Sequence, residues 1–229
     1  MNPRADRGSS VTRPCRSAIR YLTALFGVSL ALAGGSPSWA GAPSDQLKSS
    51  VDEVIRLLED PSFKAESRTT ERRASLRKLA DNIFDFGETA RRALGPHWAN
   101  LGDNDRQEFV SLFADLLERS YMSKIEVYSG EKIRYVGDAI DGEVATVKTR
   151  FVTKQGTEVP VDYRMLRRGD RWLVYDVVAE GVSLVNNYRT QFNKIIQSTS
   201  YQELVGRLKK AEPGAPSPGD ESGRKAPRS

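Results

Sequence analysis

The sequence predicts an α+β fold: a curved antiparallel sheet of four strands, or slightly more, with helices packed on one face. Three observations carry that reading. Apolar residues recur at helical spacing from 44 to 121. From 131 to 179 the period falls to two, with glycine-containing dipeptides between the runs. From 184 to 208 helical spacing returns. Helices, then a run of strands, then helices are segregated along the chain, which separates α+β from an alternating α/β pattern.

The first helix is read over 44–60, where Leu47, Val51, Val54, Ile55 and Leu58 form a stripe ended by Pro61. A second, about 67–84, carries Leu76, Leu79, Ile83 and Phe84 against a basic remainder of Arg68, Arg72, Arg73, Arg77 and Lys78. A short helix at 86–94 is closed by Gly95-Pro96. Residues 103–121 give the strongest helical signal, with Phe109, Leu112, Phe113, Leu116 and Leu117 on one face and Asp103 placed to cap it.

Strands are read at 131–138, 143–154, 157–166 and 171–179, joined by turns at Asp141-Gly142, Gln155-Gly156 and Gly169-Asp170. Links this short force antiparallel pairing, hence a meander. Ala145, Val147, Thr149 and Phe151 share one face and Lys148 and Arg150 the other; Val159, Val161, Tyr163 and Met165 likewise oppose Asp162 and Arg164. One apolar and one wet face fit a sheet covered on a single side. Pro160 removes a ladder donor, which predicts a bulge or a locally exposed edge. In the last strand, alternation sets Trp172, Val174, Asp176 and Val178 against Leu173, Tyr175, Val177 and Ala179. If the uncharged set faces the helices, Asp176 turns away, toward an arginine or a helix N-terminus. Leu184, Tyr188, Phe192 and Ile195 line the next helix. Ser200 and Glu203 have the form of a capping box for the last, whose apolar side is Tyr201, Leu204, Val205 and Leu208.

The ends read differently. Arg13, Arg16 and Arg20 precede the apolar run YLTALFGVSLALA, and Ser38 and Ala40 form a small-x-small site. That is a secretory leader, 1–40, with cleavage expected after about Ala40. Residues 212–229 contain four prolines and no large apolar side chain, and read as a disordered tail. One domain, 41–211, lies between them. The chain has 35 basic and 30 acidic residues, a net +5. The leader holds five arginines and one aspartate, so the remainder carries 30 against 29, net +1. A clustered surplus of charge for nucleic acid is therefore absent. Cys15 falls within the leader, which leaves the exported chain without thiol chemistry or a cysteine metal site.

Catalytic patterns are sparse. His97 stands as the one histidine, without ligand spacing around it, and reads as structural. Phosphate-binding glycine loops and GxSxG elbows are lacking. Asp176, or Glu180 beside it, is the best candidate for a general base: a carboxylate in an apolar pocket can take that role. The basic stretches RTTERRASLRK (68–78) and RMLRRGDR (164–171) are candidates to meet phosphate head groups or an acidic partner, although acids are interspersed with them.

Two long segments carry a resemblance. FDFGETARRALGPHWANLGDNDRQEFVSLFADLLERSYMSKIEVYSGEK (84–132) and WLVYDVVAEGVSLVNNYRTQF (172–192), with the closing SYQELVGRLKK, resemble the toluene-tolerance or Mla-pathway component C family. Those are periplasmic phospholipid-binding proteins serving an ABC transporter. The resemblance implies a lipid pocket between sheet and helices, phospholipid as cargo, and neither metal, cofactor nor catalytic residue. It also implies a periplasmic shuttle that docks to an outer-membrane lipoprotein complex and to an inner-membrane ABC transporter assembly, supporting outer-membrane lipid asymmetry. On that reading the acyl chains are surrounded by Phe109, Phe113 and Leu116 on one helix and by Tyr188 and Phe192 on another. The sheet contributes Val147, Phe151, Val161, Tyr163, Tyr175 and Val177. A cavity for two chains is expected at about 1,000 Å³. Two rivals differ in kind: an enzyme of cone-shaped α+β fold with Asp176 or Glu180 as base, and an adaptor with a close-packed interior.

Overall fold

The computed structural model describes residues 42–210. The leader read at 1–40 and the tail read at 212–229 lie outside them. Helix α1 (Pro43–Glu59) starts on a proline, whose fixed φ suits a first helical position. Two short 3₁₀ turns, Pro61–Phe63 and Glu66–Arg68, lead into α2 (Thr69–Ile83). The side chain of Asp85 caps α3 (Phe86–Leu94) by accepting from the Glu88 N–H at 2.8 Å, and Gly95 at φ 55° ends it. Helix α4 (Asp103–Glu126) is five residues longer than its periodicity suggests. Gly102 rather than Asp103 stands at its N-cap, and Asp103 lies in the first turn, where a carboxylate still favours the helix dipole.

Five antiparallel strands follow in the order of the chain: β1 (Lys132–Asp141), β2 (Val144–Val152), β3 (Glu158–Arg168), β4 (Arg171–Ala179) and β5 (Val182–Ser183). The expected meander is present, one strand larger. Glu180 and Gly181 both have positive φ, 50° and 82°, the geometry of a two-residue hairpin turn, and they send the chain back as β5. β4 pairs β3 only from Val161 onward, so Pro160 lies where β3 has a strand on one side. Helix α5 (Leu184–Ser198) begins at once, with the Ser183 hydroxyl accepting from the Asn186 N–H at 3.0 Å. Helix α6 (Tyr201–Lys210) follows, and Ser200 Oγ accepts from the Glu203 N–H at 3.1 Å.

The alternation expected in β4 breaks at a bulge. Arg164 pairs with Asp176, yet its neighbour Met165 pairs with Val174, leaving Tyr175 as the extra residue. Trp172 and Val174 therefore share the inward face with Val177, which corrects the assignment of Trp172 and Val174 to the outer face. Asp176 keeps Arg164 as its partner across the pair. Two cores result. One, between the inner sheet face and α1, gathers Leu47, Ala145, Val147, Met165, Trp172 and Val174. The other is helical, with Phe109, Phe113, Leu116, Tyr188, Phe192, Leu204 and Leu208 among its members.

Candidate functional site

Between these cores lies a cavity of about 360 Å³ with an apolar lining. Leu47, Val51 and Val54 of α1 and Leu76, Ala80 and Ile83 of α2 form one wall. Ala114, Leu117, Tyr121, Met122 and Ile125 of α4 form the facing wall, and Tyr163, Tyr175 and Val177 the floor. Phe84, Phe86, Thr89 and Leu184 close the end near α3. Burial pushes the Tyr121 and Tyr163 hydroxyls above the ordinary phenol range, so both stay neutral. Arg77, Glu118 and Asp176 are the charged lining residues; Arg77 pairs with Glu118 and also reaches Asp115 at 3.1 Å. The volume is well below the 1,000 Å³ expected for two chains.

Of the residues predicted to surround acyl chains, the structure brings Tyr163, Tyr175 and Val177 to this cavity. The aromatic set lies elsewhere. Phe109, Phe113, Tyr188 and Phe192 pack ring on ring, with Phe113 5.0 Å from Tyr188 and 5.2 Å from Phe192, and Leu116 joins them. Edge-on packing of that kind satisfies the rings among themselves and leaves no room for a guest. Val147 is fully enclosed in the sheet core, while Phe151 and Val161 are half-buried away from the lining. The missed wall had a signal. Ala114, Leu117, Tyr121 and Ile125 recur at spacings of three, four and four along α4, a second apolar row beside the aromatic one.

Asp176, the candidate base, is 3% exposed and fully engaged in holding the fold. Its Oδ2 accepts from Arg164 Nη1 at 3.1 Å and Ser183 Oγ at 2.7 Å, and its Oδ1 accepts from the Val185 N–H at 3.0 Å. An arginine and the N-terminus of α5 are thus its partners, although the residue also borders the cavity. Glu180 occupies the exposed β4–β5 turn. His97 Nε2 meets Asn193 Oδ1 at 2.9 Å. Among the described residues, no group of three or more His, Cys, Asp or Glu side chains is placed to hold a metal ion.

The two basic stretches resolve into ion pairs. Arg72 and Arg73 both bind Glu126 at 2.8 Å, and Arg68 binds Glu71 at 2.7 Å. Arg168 meets Asp85 at 2.7 Å, and Arg167 meets Glu143. Most of these arginines stitch α2 to α4 or the β3–β4 turn to α3 rather than offering free charge.

With fold and cavity in place, comparison with known proteins decides the family. The family model described as "MlaC protein" matches residues 48–210. The chain belongs to the MlaC family. A curated MlaC relative, the intermembrane phospholipid transport system binding protein of Haemophilus influenzae, is 22% identical over 125 residues. That match covers 52% of this chain and 58% of the relative, so the chain spans little more than half the relative's length. Among solved structures, the phospholipid-binding protein of Ralstonia solanacearum, determined with a phospholipid bound, superposes at a TM-score of 0.65. It shares 24% identity with this MlaC-family chain, covering 74% of it and 96% of the solved chain, a likeness of fold.

Proposed function

We propose that this chain is a periplasmic phospholipid carrier that holds acyl chains in the cavity between α1, α2, α4 and the inner sheet face. The observation that carries the reading is that cavity: an apolar-lined space in a chain of the MlaC family. The carrier passes lipid between an outer-membrane lipoprotein complex and an inner-membrane ABC transporter assembly, and so supports outer-membrane lipid asymmetry. The cysteine-free exported chain would begin at about Gly41.

Energetics suit a carrier. One acyl chain, which suits the observed volume better than two, holds about 15 methylenes, and withdrawing each from water is worth about 0.8 kcal/mol, roughly 12 kcal/mol gross. A bilayer gives nearly the same gain. Exchange between bilayer and cavity is therefore close to balance, while release into water is not. The carrier needs no catalytic group for this. Asp176 has its lone pairs committed to Arg164, Ser183 and Val185, which argues against the general-base alternative.

The test is mass spectrometry of the exported protein. Intact-mass analysis should show a chain starting at about Gly41, and an organic extract should contain phospholipid in near-equimolar amount. An extract free of phospholipid from protein folded in contact with membranes contradicts the proposal.

A further inference from the structure

The cavity is not equally closed at both ends. Near α3 it ends on Phe84 and Phe86, stacked with ring centroids 5.7 Å apart. Among the α4 lining residues Ala114 and Met122 are buried and Leu117, Glu118 and Tyr121 half-buried, while Ile125, the last of them, is 40% exposed. Val127, just past the end of the helix, is 73% exposed. The ends of α2 and α4 meet here, because Arg72 and Arg73 near the start of α2 bind Glu126 at the end of α4.

The side seam between α2 and α4 is polar by contrast. Arg77 spans it to Asp115 and Glu118, and Arg72 and Arg73 span it to Glu126. An acyl chain crossing that seam would strip water and partners from paired charges, which is unfavourable. A chain sliding past Ile125 meets an aliphatic side chain, beside which Glu126 stays paired with Arg72 and Arg73.

We infer that the C-terminal end of α4 is the portal of the cavity, with Ile125 as its inner lip and Val127 as its outer one, and that phospholipid acyl chains pass there. The arginine pairs to Glu126 hold the helices on either side of the opening and leave its floor apolar. This rests on the reading of the chain as a phospholipid carrier. The portal sets the rate of lipid exchange, whereas the deep cavity sets whether lipid is held at all.

The test uses the exported full chain loaded with pyrene-labelled phosphatidylethanolamine and mixed with vesicles of phosphatidylethanolamine and phosphatidylglycerol. Ile125→Trp narrows the lip with bulk, and Ile125→Asp places a charge on it; either suffices if the other fails to fold. Val136→Asp and Ile140→Asp serve as controls, since both positions are 56% exposed on β1 and neither lines the cavity. Transfer should slow about tenfold in the Ile125 variants, about 1.4 kcal/mol on the barrier, with control rates unchanged. Equal rates in all variants, or equal slowing in the β1 controls, overturn the portal while leaving the carrier reading intact. Failure of the parent chain to take up any labelled lipid overturns the carrier reading, and the portal with it.

Discussion

At Glu88 a buried carboxylate is held by two arginines of its own helix. Arg91 donates to both of its oxygens, at 2.8 and 2.6 Å, and Arg92 to one at 2.6 Å. The hydrogen bonds from Arg91, with those from Arg92, hold the Glu88 carboxyl at about 2, below its ordinary 4.5. A depressed folded value stabilises the fold above the unfolded value, and that stability is lost as pH falls through about 2. Glu88→Gln should therefore cost about 2 kcal/mol at neutral pH, since the partners are partly exposed. The gap from the parent should close as urea titrations move from pH 6 down toward pH 2. A gap independent of pH would assign the loss to packing instead. Asp176 acts at the same scale, joining β4 to β3 through Arg164, to β5 through Ser183 and to α5 through the Val185 N–H. Asp176→Asn should lower stability by about 2 kcal/mol, read as a shifted urea midpoint; an unchanged midpoint would contradict its structural role.

Among the elements, α4 explains why the site was only half legible in the sequence. It presents two apolar rows, and the aromatic one is the more conspicuous. Phe109, Phe113 and Leu116 attract attention by size, yet size is what closes them against Tyr188 and Phe192. Phe113→Ala should cost about 3–5 kcal/mol by thermal or urea unfolding, as a core aromatic does. The protein that remains folded should still carry phospholipid, because the ring lies outside the cavity. Loss of lipid at unchanged stability would return Phe113 to the pocket. The smaller row of Ala114, Leu117, Tyr121 and Ile125 looks like ordinary helix filling until α1 and α2 are seen to stand off from it. Strand existence and turns were legible because glycine dipeptides punctuate a period of two. The bulge at Tyr175 was not, since it shifts the register by one residue without any glycine or proline to mark it. That shift is what brings Trp172, Val174 and Val177 to one face.

For the molecule as a whole, the layers divide labour. The helical core of α3, α4, α5 and α6 and the sheet core under α1 are separate clusters, and residues packed with each border the cavity. No helix among the described residues is long and apolar enough to cross a membrane. The central claim is that acyl chains occupy this cavity and not the aromatic core, and Ala80→Phe tests it most directly. Ala80 lines the cavity from α2, so a ring added there fills the space without opening a void elsewhere. Phospholipid measured by mass spectrometry of an organic extract should fall far below the parent's amount, with the melting temperature held or raised. Phospholipid retained at the parent's stoichiometry in a folded Ala80→Phe protein would contradict the account.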